Sequence, residues 1–472
     1  MDSTLGFSHD TVISIRREVS DLLLKEEKMW KQRSRDSWLK EGDRNIKYFH
    51  NCASHRKRRN TISSVRMDIG ELVTNANLIG KQFTEYYQAL FTATPLEEVE
   101  VVLDSIQPCV TQEMNQTLTA QFTKEEVLTA MKQMGPLKAL GPDGMPPIFY
   151  QSYWHVVGKD VAAVVLYCLQ SGTLLPSLNH TYVTLIPKTK SPERVTEYRP
   201  ISLCNVLYKL ISKVLANRLK KILPNIISES QSVFVLGRLI TNNILIAFET
   251  LHHMQNKKTG KVGFMALKLD MSKAYDRVEW GFLKQVMVRM GFHAKWISLI
   301  MECIRSVSYS FLINGNPTGH IIPIRGLRQG DPISPYLFLL CAEGLIGLLK
   351  KATLQGEIHG VSLCPRGPKI TNLFFTDDIL LFCRASLIEC QKIQEILAIY
   401  EKASGQQLNR AKTTLFFSRN TPQAMQEDLK DILGVPSSQQ YEKYLDLPSL
   451  IGKEKITCFS QIKERVWSKV KG

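Results

Sequence analysis

Between Leu72 and Phe91 the large apolar residues fall at Ile79, Phe83, Tyr87 and Leu90. Steps of four and three put them on one face, so the spacing predicts an amphipathic helix over this stretch. Further along the period changes. KVGFMALKLD (261–270) is mostly apolar and ends on Asp270, the pattern of a buried strand that delivers a carboxylate at its tip. MSKAYDRVEW (271–280) then turns into a helix predicted to run to about Met290. Asp276 and Glu279 have the spacing of a capping box, which favours Asp276 as a helix cap over a metal ligand. In FFTDDILLF (374–382) two apolar arms, 373–375 and 379–382, flank Thr376, Asp377 and Asp378. This predicts a β-hairpin with the acids at its turn.

The acids raise an electrostatic question. Two carboxylates about 4 Å apart repel by roughly 4 kcal/mol at an effective dielectric of 20, and burial without a partner is worse. An Asp-Asp pair in a turn is common enough, since Asp forms turns. Joined to a second strand-end acid, Asp270, it becomes a candidate two-metal site. Hard oxygen ligands suit Mg²⁺, which lowers the pKa of an attacking hydroxyl and steadies a transferring phosphoryl group. Between the acids lies RGLRQGDPISPYLFLL (325–340). Its Gly326 and Gly330 allow close backbone approach to a ligand, and Ser334-Pro335 opens an apolar helix. An ordinary loop before a core helix has the same composition. KALGPDGMP (138–146) is a Gly/Pro-rich loop that marks a boundary.

With 472 residues, 44% of them hydrophobic, the chain can build a core for two or three domains. A net charge of +16 draws it towards polyanions such as nucleic acid. The excess is concentrated in residues 31–60, where ten Lys/Arg face three Asp/Glu, with Trp38, Tyr48 and Phe49 interleaved. Here Arg56, Lys57, Arg58 and Arg59 are candidate phosphate contacts and the rings candidate base-stacking platforms. The alternative is a solvated helical face whose aromatics pack inward. The ten cysteines include no C-x-x-C pair, which points to reduced thiols in an intracellular compartment, nucleus or cytoplasm, and against a zinc ribbon or disulfide framework. The longest apolar stretch, 336–349, is interrupted by Glu343 and too short to span a bilayer.

The order LKLDMSKAYD, GLRQGDPISPYLF, FFTDD and SGQQLNRAKT (404–413) resembles the reverse-transcriptase domain of LINE-type (non-LTR) retrotransposons, most closely those of plant genomes. The likeness takes in SWLKEGDRNIKYFH (37–50), KALGPDGMP, VTLIPK (183–188), EYRPISLCNVLYKLISKVLANRL (197–219), QSVFVLGRLITNNILIAFE (231–249) and YEKYLDLPSLIG (441–452). It implies an α+β right-hand polymerase fold. Residues 1–125 would be a basic, mostly helical extension, 126–260 the fingers and start of the palm, 261–420 the palm, and 421–472 the start of a thumb. The implied activity is RNA-directed DNA polymerisation from dNTPs on an RNA template and DNA primer, without a membrane or a stable protein partner. Asp270 and Asp377 would bind two Mg²⁺ ions (or Mn²⁺), with Asp378 beside them. Tyr275 would exclude a ribose 2′-hydroxyl. Lys188 and Arg199 would clamp the triphosphate, Gln329 and Gly330 would line the nucleotide pocket, and Lys412 would sit near the leaving pyrophosphate. Lys412 also reads as a plain surface lysine.

Four positions depart from the family's usual residues: Thr376 for alanine, Leu140 for proline, Asn242 for aspartate and Asp446 for glycine. They suggest a copy under relaxed selection, and the boundaries suggest a fragment of a longer polyprotein. Two other readings remain open, a catalytically dead RNA-binding relic and a group II intron-type maturase. Intact acids favour a polymerase over the first, and GDRNIKYFH with KALGPDG favours a retroelement over the second.

Overall fold

The structure, a computed structural model, describes residues 9–34, 46–67, 70–364 and 367–435, with short stretches beyond 442. Two four-stranded sheets organise it. The first has strand Phe264–Leu269 near its middle, between Asp378–Arg384 and Thr414–Phe417, with Asn372–Phe375 at the edge, all antiparallel. Both of its faces are covered. Met265, Leu267 and Leu269 join the main core, while Ala266, Leu380 and Phe382 pack with Ala247, Leu251 and Met254 of helix Ile240–Asn256. A strand wedged between two apolar layers reads as a continuous hydrophobic run, which is why 264–269 lacks alternation.

The hairpin is tighter than predicted. Phe375 pairs with Asp378, so the turn is Thr376-Asp377 alone and Asp378 already opens the return strand. Thr376 takes φ +58°. Two-residue hairpin turns demand positive φ and favour glycine or asparagine there; a β-branched residue is an outlier.

The second sheet runs Tyr198–Cys204, His180–Pro187, Ser308–Ile313, Asn316–Ile321, with only the central pair parallel. Strand His180–Pro187 alternates half-exposed and buried positions, so one face is wet. Helix Ala76–Leu90 covers the other, with Phe83 edge-on to Tyr198 at 5.3 Å and Tyr87 stacked on Phe311 at 4.6 Å. Its predicted apolar stripe is buried, but it starts at Ala76 rather than Leu72. Asn75 caps it by accepting from the Asn77 and Leu78 amides, and Leu72–Val73 pairs with Val65–Arg66 instead.

Helix Ser334–Leu354 opens with proline in its first turn, as expected, and runs through the core. Its Glu343 is buried and accepts from the Ser228 amide (3.0 Å) and hydroxyl (2.6 Å). Burial nonetheless pushes its carboxyl up to about 7. Among the described residues no helix is long and apolar enough to cross a membrane, and nine cysteines are all free thiols.

One expectation fails. The helix after Asp270 spans Trp280–Met290, its N-cap is Glu279, and that side chain caps nothing. Asp276 lies outside the helix, buried in the preceding turn. Glu279 is instead committed to a buried ion pair with Arg325 (3.0 Å) and to the Thr94 amide. The helix begins three residues later than a capping box at Asp276 requires, and two tertiary partners claim the glutamate.

Candidate active site

Asp270 stands at the point where its strand leaves the sheet, since Met271–Ser272 pairs elsewhere, with Gln407–Leu408. Asn409 fixes it twice: its amide nitrogen donates to the Asp270 carbonyl (2.8 Å) and its side chain to Oδ2 (3.0 Å). Ile379 pairs with Leu269, so the hairpin turn and Asp270 share one end of the sheet. There the two acids feel each other. The Asp377 carboxyl is held above the usual range first by desolvation at the hairpin, then by the charge of Asp270, while Arg199 pulls it back. Tyr275, on the turn after Asp270, lies flat on Phe338 with centroids 4.7 Å apart. Burial and the negative charge of Asp377 push its hydroxyl up, so it stays protonated.

Cations come from the other sheet. Lys188 and Arg199 sit at the exposed end of the His180–Pro187/Tyr198–Cys204 pair, where Ile186 opposes Arg199. The Lys188 ammonium is held below its usual range by desolvation, then by the positive charges of Lys412 and Arg199. These three residues, far apart in sequence, therefore form one electropositive group. Gln329 is tied to the same sheet through its carbonyl, which accepts from the Ser202 amide (2.9 Å), and its side chain donates to Asp276 Oδ1 (3.4 Å). Gly330 has φ +115°, and a Cβ there would meet the Ser202 carbonyl at 3.0 Å. The glycine is needed for close packing against the backbone of the second sheet.

Five contributors escape the sequence alone. Arg328 and Asp331 form a buried pair (2.9 Å) that ties the loop to Tyr208 and Ser212, so both charges of RQGD are structural. Gln231 lies under the hairpin, its Oε1 accepting from the Thr376 amide (3.4 Å). Lys273, with φ +54°, reaches the Tyr198 carbonyl (3.3 Å). Asn409 is the fifth. All but Gln231 carried a signal, a polar residue one to three places from a singled-out one.

The basic run stands apart. Lys57, Arg58 and Arg59 are exposed on the last turn of helix Ile46–Asn60, where cations also suit the helix dipole. Phe49 is buried, so it packs inward and does not stack on bases. Leu140 and Asn242 are exposed; Trp38 and Asp446 lie outside the described residues.

Among the described residues no cluster of three or more His, Cys, Asp or Glu side chains is arranged to hold a metal. The acid pair nonetheless fits a hard cation. Its donors are all oxygen, its like charges oppose each other, and Mg²⁺ is ordinarily held by one or two carboxylates plus water and substrate phosphate.

One sheet thus carries carboxylates at its tip, and the exposed end of the second carries cations that act on them. Residues 186–445 match the family described as reverse transcriptase (RNA-dependent DNA polymerase), and the chain belongs to that family, with its right-hand polymerase fold. It is similar to an uncharacterized 149 kDa protein of transposon TX1 from Xenopus laevis, 27% identical over 384 residues, which cover 81% of this chain and 29% of that protein. It is 53% identical over 68 residues to an uncharacterized mitochondrial protein of Arabidopsis thaliana, covering 14% of this chain and 56% of that one. A Pol polyprotein from a type-2 retrotransposable element of Drosophila melanogaster is 28% identical over 248 residues, 52% of this chain and 22% of its own length. These relatives support a LINE-type reverse transcriptase domain. The chain spans between about a fifth and just over half of their lengths.

Proposed function

We propose that this chain extends a DNA primer on an RNA template, joining the primer 3′-hydroxyl to the α-phosphate of a dNTP and releasing pyrophosphate. The observation that carries this is that the hairpin turn with Asp377 and the strand end with Asp270 share one end of the first sheet, within electrostatic reach of Arg199 on the second. Asp270 and Asp377 would hold divalent metal, with Asp378 beside them. When bound, the metal makes the attacking hydroxyl more acidic and neutralises charge on the triphosphate. Asn409 keeps Asp270 in one orientation. Arg199 grips phosphate oxygens bidentately, with Lys188 beside it, and Lys412 meets the charge that develops on the leaving pyrophosphate. Gln329 and Gly330 form the pocket wall. The stacked Tyr275 ring occupies the position where a 2′-hydroxyl would lie, and so selects deoxynucleotides. Arg56, Lys57, Arg58 and Arg59 hold template phosphates away from the chemistry.

A second reading, an RNA-binding relic, has one observation in its favour: the strained Thr376 at the hairpin turn. Primer extension on poly(rA)/oligo(dT) with Mg²⁺ separates the two. A polymerase adds dTMP and discriminates against UTP, and Tyr275→Ala relaxes that discrimination. A relic binds the duplex and adds nothing.

A further inference from the structure

Asp276 is 3% exposed, does not cap the following helix, and keeps Oδ2 buried without a hydrogen-bond partner. A buried carboxylate is costly unless charges nearby offset it. The backbone of its turn does not depend on it. The Leu327 amide donates to the Tyr275 carbonyl (2.7 Å), Gly326 to Val278 (2.8 Å), and Arg277 to Lys273 (3.2 Å). Gly326 sits so close that a Cβ there would meet the Asp276 carbonyl at 2.7 Å. The loop at 325–330 thus braces the turn from outside, leaving the side chain without a structural duty.

Its surroundings are the nucleotide pocket. Burial pushes its carboxyl up to about 6, against the pull of Lys273, Gln329 and Lys188. Lys273 is held down to about 8 by burial and by the charge of Lys188, with Asp276 acting the other way. The Lys273 ammonium also lies over the Tyr86 and Tyr87 rings, 5.7 Å from each centroid, and reaches the Tyr198 carbonyl. Two ammonium groups, one from the palm turn and one from the end of the second sheet, thus meet at a seam, and Asp276 is the anion behind them.

We propose that Asp276 is a positioning residue of the nucleotide pocket, whose buried carboxylate offsets the repulsion between Lys273 and Lys188 and orients Gln329, so that the two sheets present their cations to an incoming triphosphate in one arrangement. This rests on the polymerase reading above. The aspartate touches neither triphosphate nor metal; it acts through its neighbours.

Asp276→Asn keeps the shape and removes the charge. In single-nucleotide incorporation it raises KM for the dNTP about tenfold, the size of a coupling within one charge network. It leaves kcat within about threefold, and primer–template affinity and Tm at parental values. Adding Lys273→Met removes the uncompensated repulsion and brings KM back most of the way. A parental KM in Asp276→Asn overturns the proposal. So does a joint fall of kcat, duplex affinity and Tm that Lys273→Met fails to relieve, because that marks a structural brace. A second measurement needs no chemistry: the dNTP concentration that stabilises a complex with dideoxy-terminated primer in a competitor-challenged gel shift. The single variant shifts it upward about tenfold and the double variant returns it. If the parent extends no primer, the polymerase reading fails, and this binding assay still decides the role of Asp276: no shift in the single variant, or no nucleotide response in the parent, overturns it.

Discussion

The two sheets meet the same space with opposite charges and from opposite kinds of strand. The first is buried on both faces and releases its acids only where strand Phe264–Leu269 ends and the hairpin turns. The second has one wet face, and Lys188 and Arg199 sit on its exposed end. Acids on a doubly covered sheet cannot move to avoid each other, so their repulsion persists until a cation arrives. Cations at the exposed end of a half-solvated sheet are better screened. The first sheet should therefore be intolerant of change at its tip, and the second forgiving.

The largest expected effect breaks the acid side. Asp270→Asn or Asp377→Asn should lower nucleotide incorporation by on the order of 10³-fold or more, since the metal loses a ligand, while RNA gel shifts stay parental because binding rests on Lys/Arg contacts to phosphate. Incorporation undiminished in either variant removes that acid from the mechanism. On the cation side, Arg199→Ala should cost about 10–100-fold in kcat/KM, the value of a charge-assisted hydrogen bond, and Arg199→Lys should recover part of it. A loss equal to that of the acid variants would erase the contrast between the sheets.

Within the first sheet's core, Glu343 offers a test by pH. Its folded pKa, about 7, lies above its ordinary 4.5. Between those values the folded state binds more protons than the unfolded one, so stability falls as pH rises from about 4.5 to 7. The loss reaches up to about 3 kcal/mol. Glu343→Gln, whose amide oxygen can still accept from the Ser228 amide while its NH2 donates to the Ser228 hydroxyl oxygen, should flatten that slope and raise Tm at pH 8. An unchanged pH profile of Tm contradicts the assignment.

Outside both sheets the effects shrink. Replacing Arg56, Lys57, Arg58 and Arg59 with Ala should lower the log–log salt slope of RNA affinity by about 0.7 per lost contact; an unaltered slope marks the run as solvated surface. Smallest is Thr376→Ala. Its branched side chain sits on a residue at positive φ in the turn, and overfilling a packed site when the dNTP enters would cost about 1–3 kcal/mol. Alanine should speed incorporation several-fold, mostly through a lower KM for the dNTP. Matched single-nucleotide kinetics with no gain would make the threonine neutral.

What the sequence disclosed follows the same division. Asp270, the hairpin and the Ile79–Leu90 stripe were legible because strand ends, turns and helical faces are written in consecutive residues. Asp276 was misread because a three-residue spacing says nothing of what arrives from residue 325 or 94. Gly326 closed over its turn, and Arg325 with Thr94 took Glu279. Arg328 and Asp331 looked like loop polarity, and only the packing of Tyr208 and Ser212 against them makes them core. The seam between Lys273 and Lys188 joins two distant stretches and has no local signature.

The central claim is that the acids at the tip of the first sheet exist to hold a cation against a triphosphate. Mn²⁺ binding to the parent chain, followed by electron paramagnetic resonance with and without dNTP, tests it most directly. The account predicts weak binding alone, tighter binding with dNTP, and loss of both in Asp270→Asn and in Asp377→Asn. Mn²⁺ bound equally well by the parent and either variant, with no response to dNTP, would contradict it.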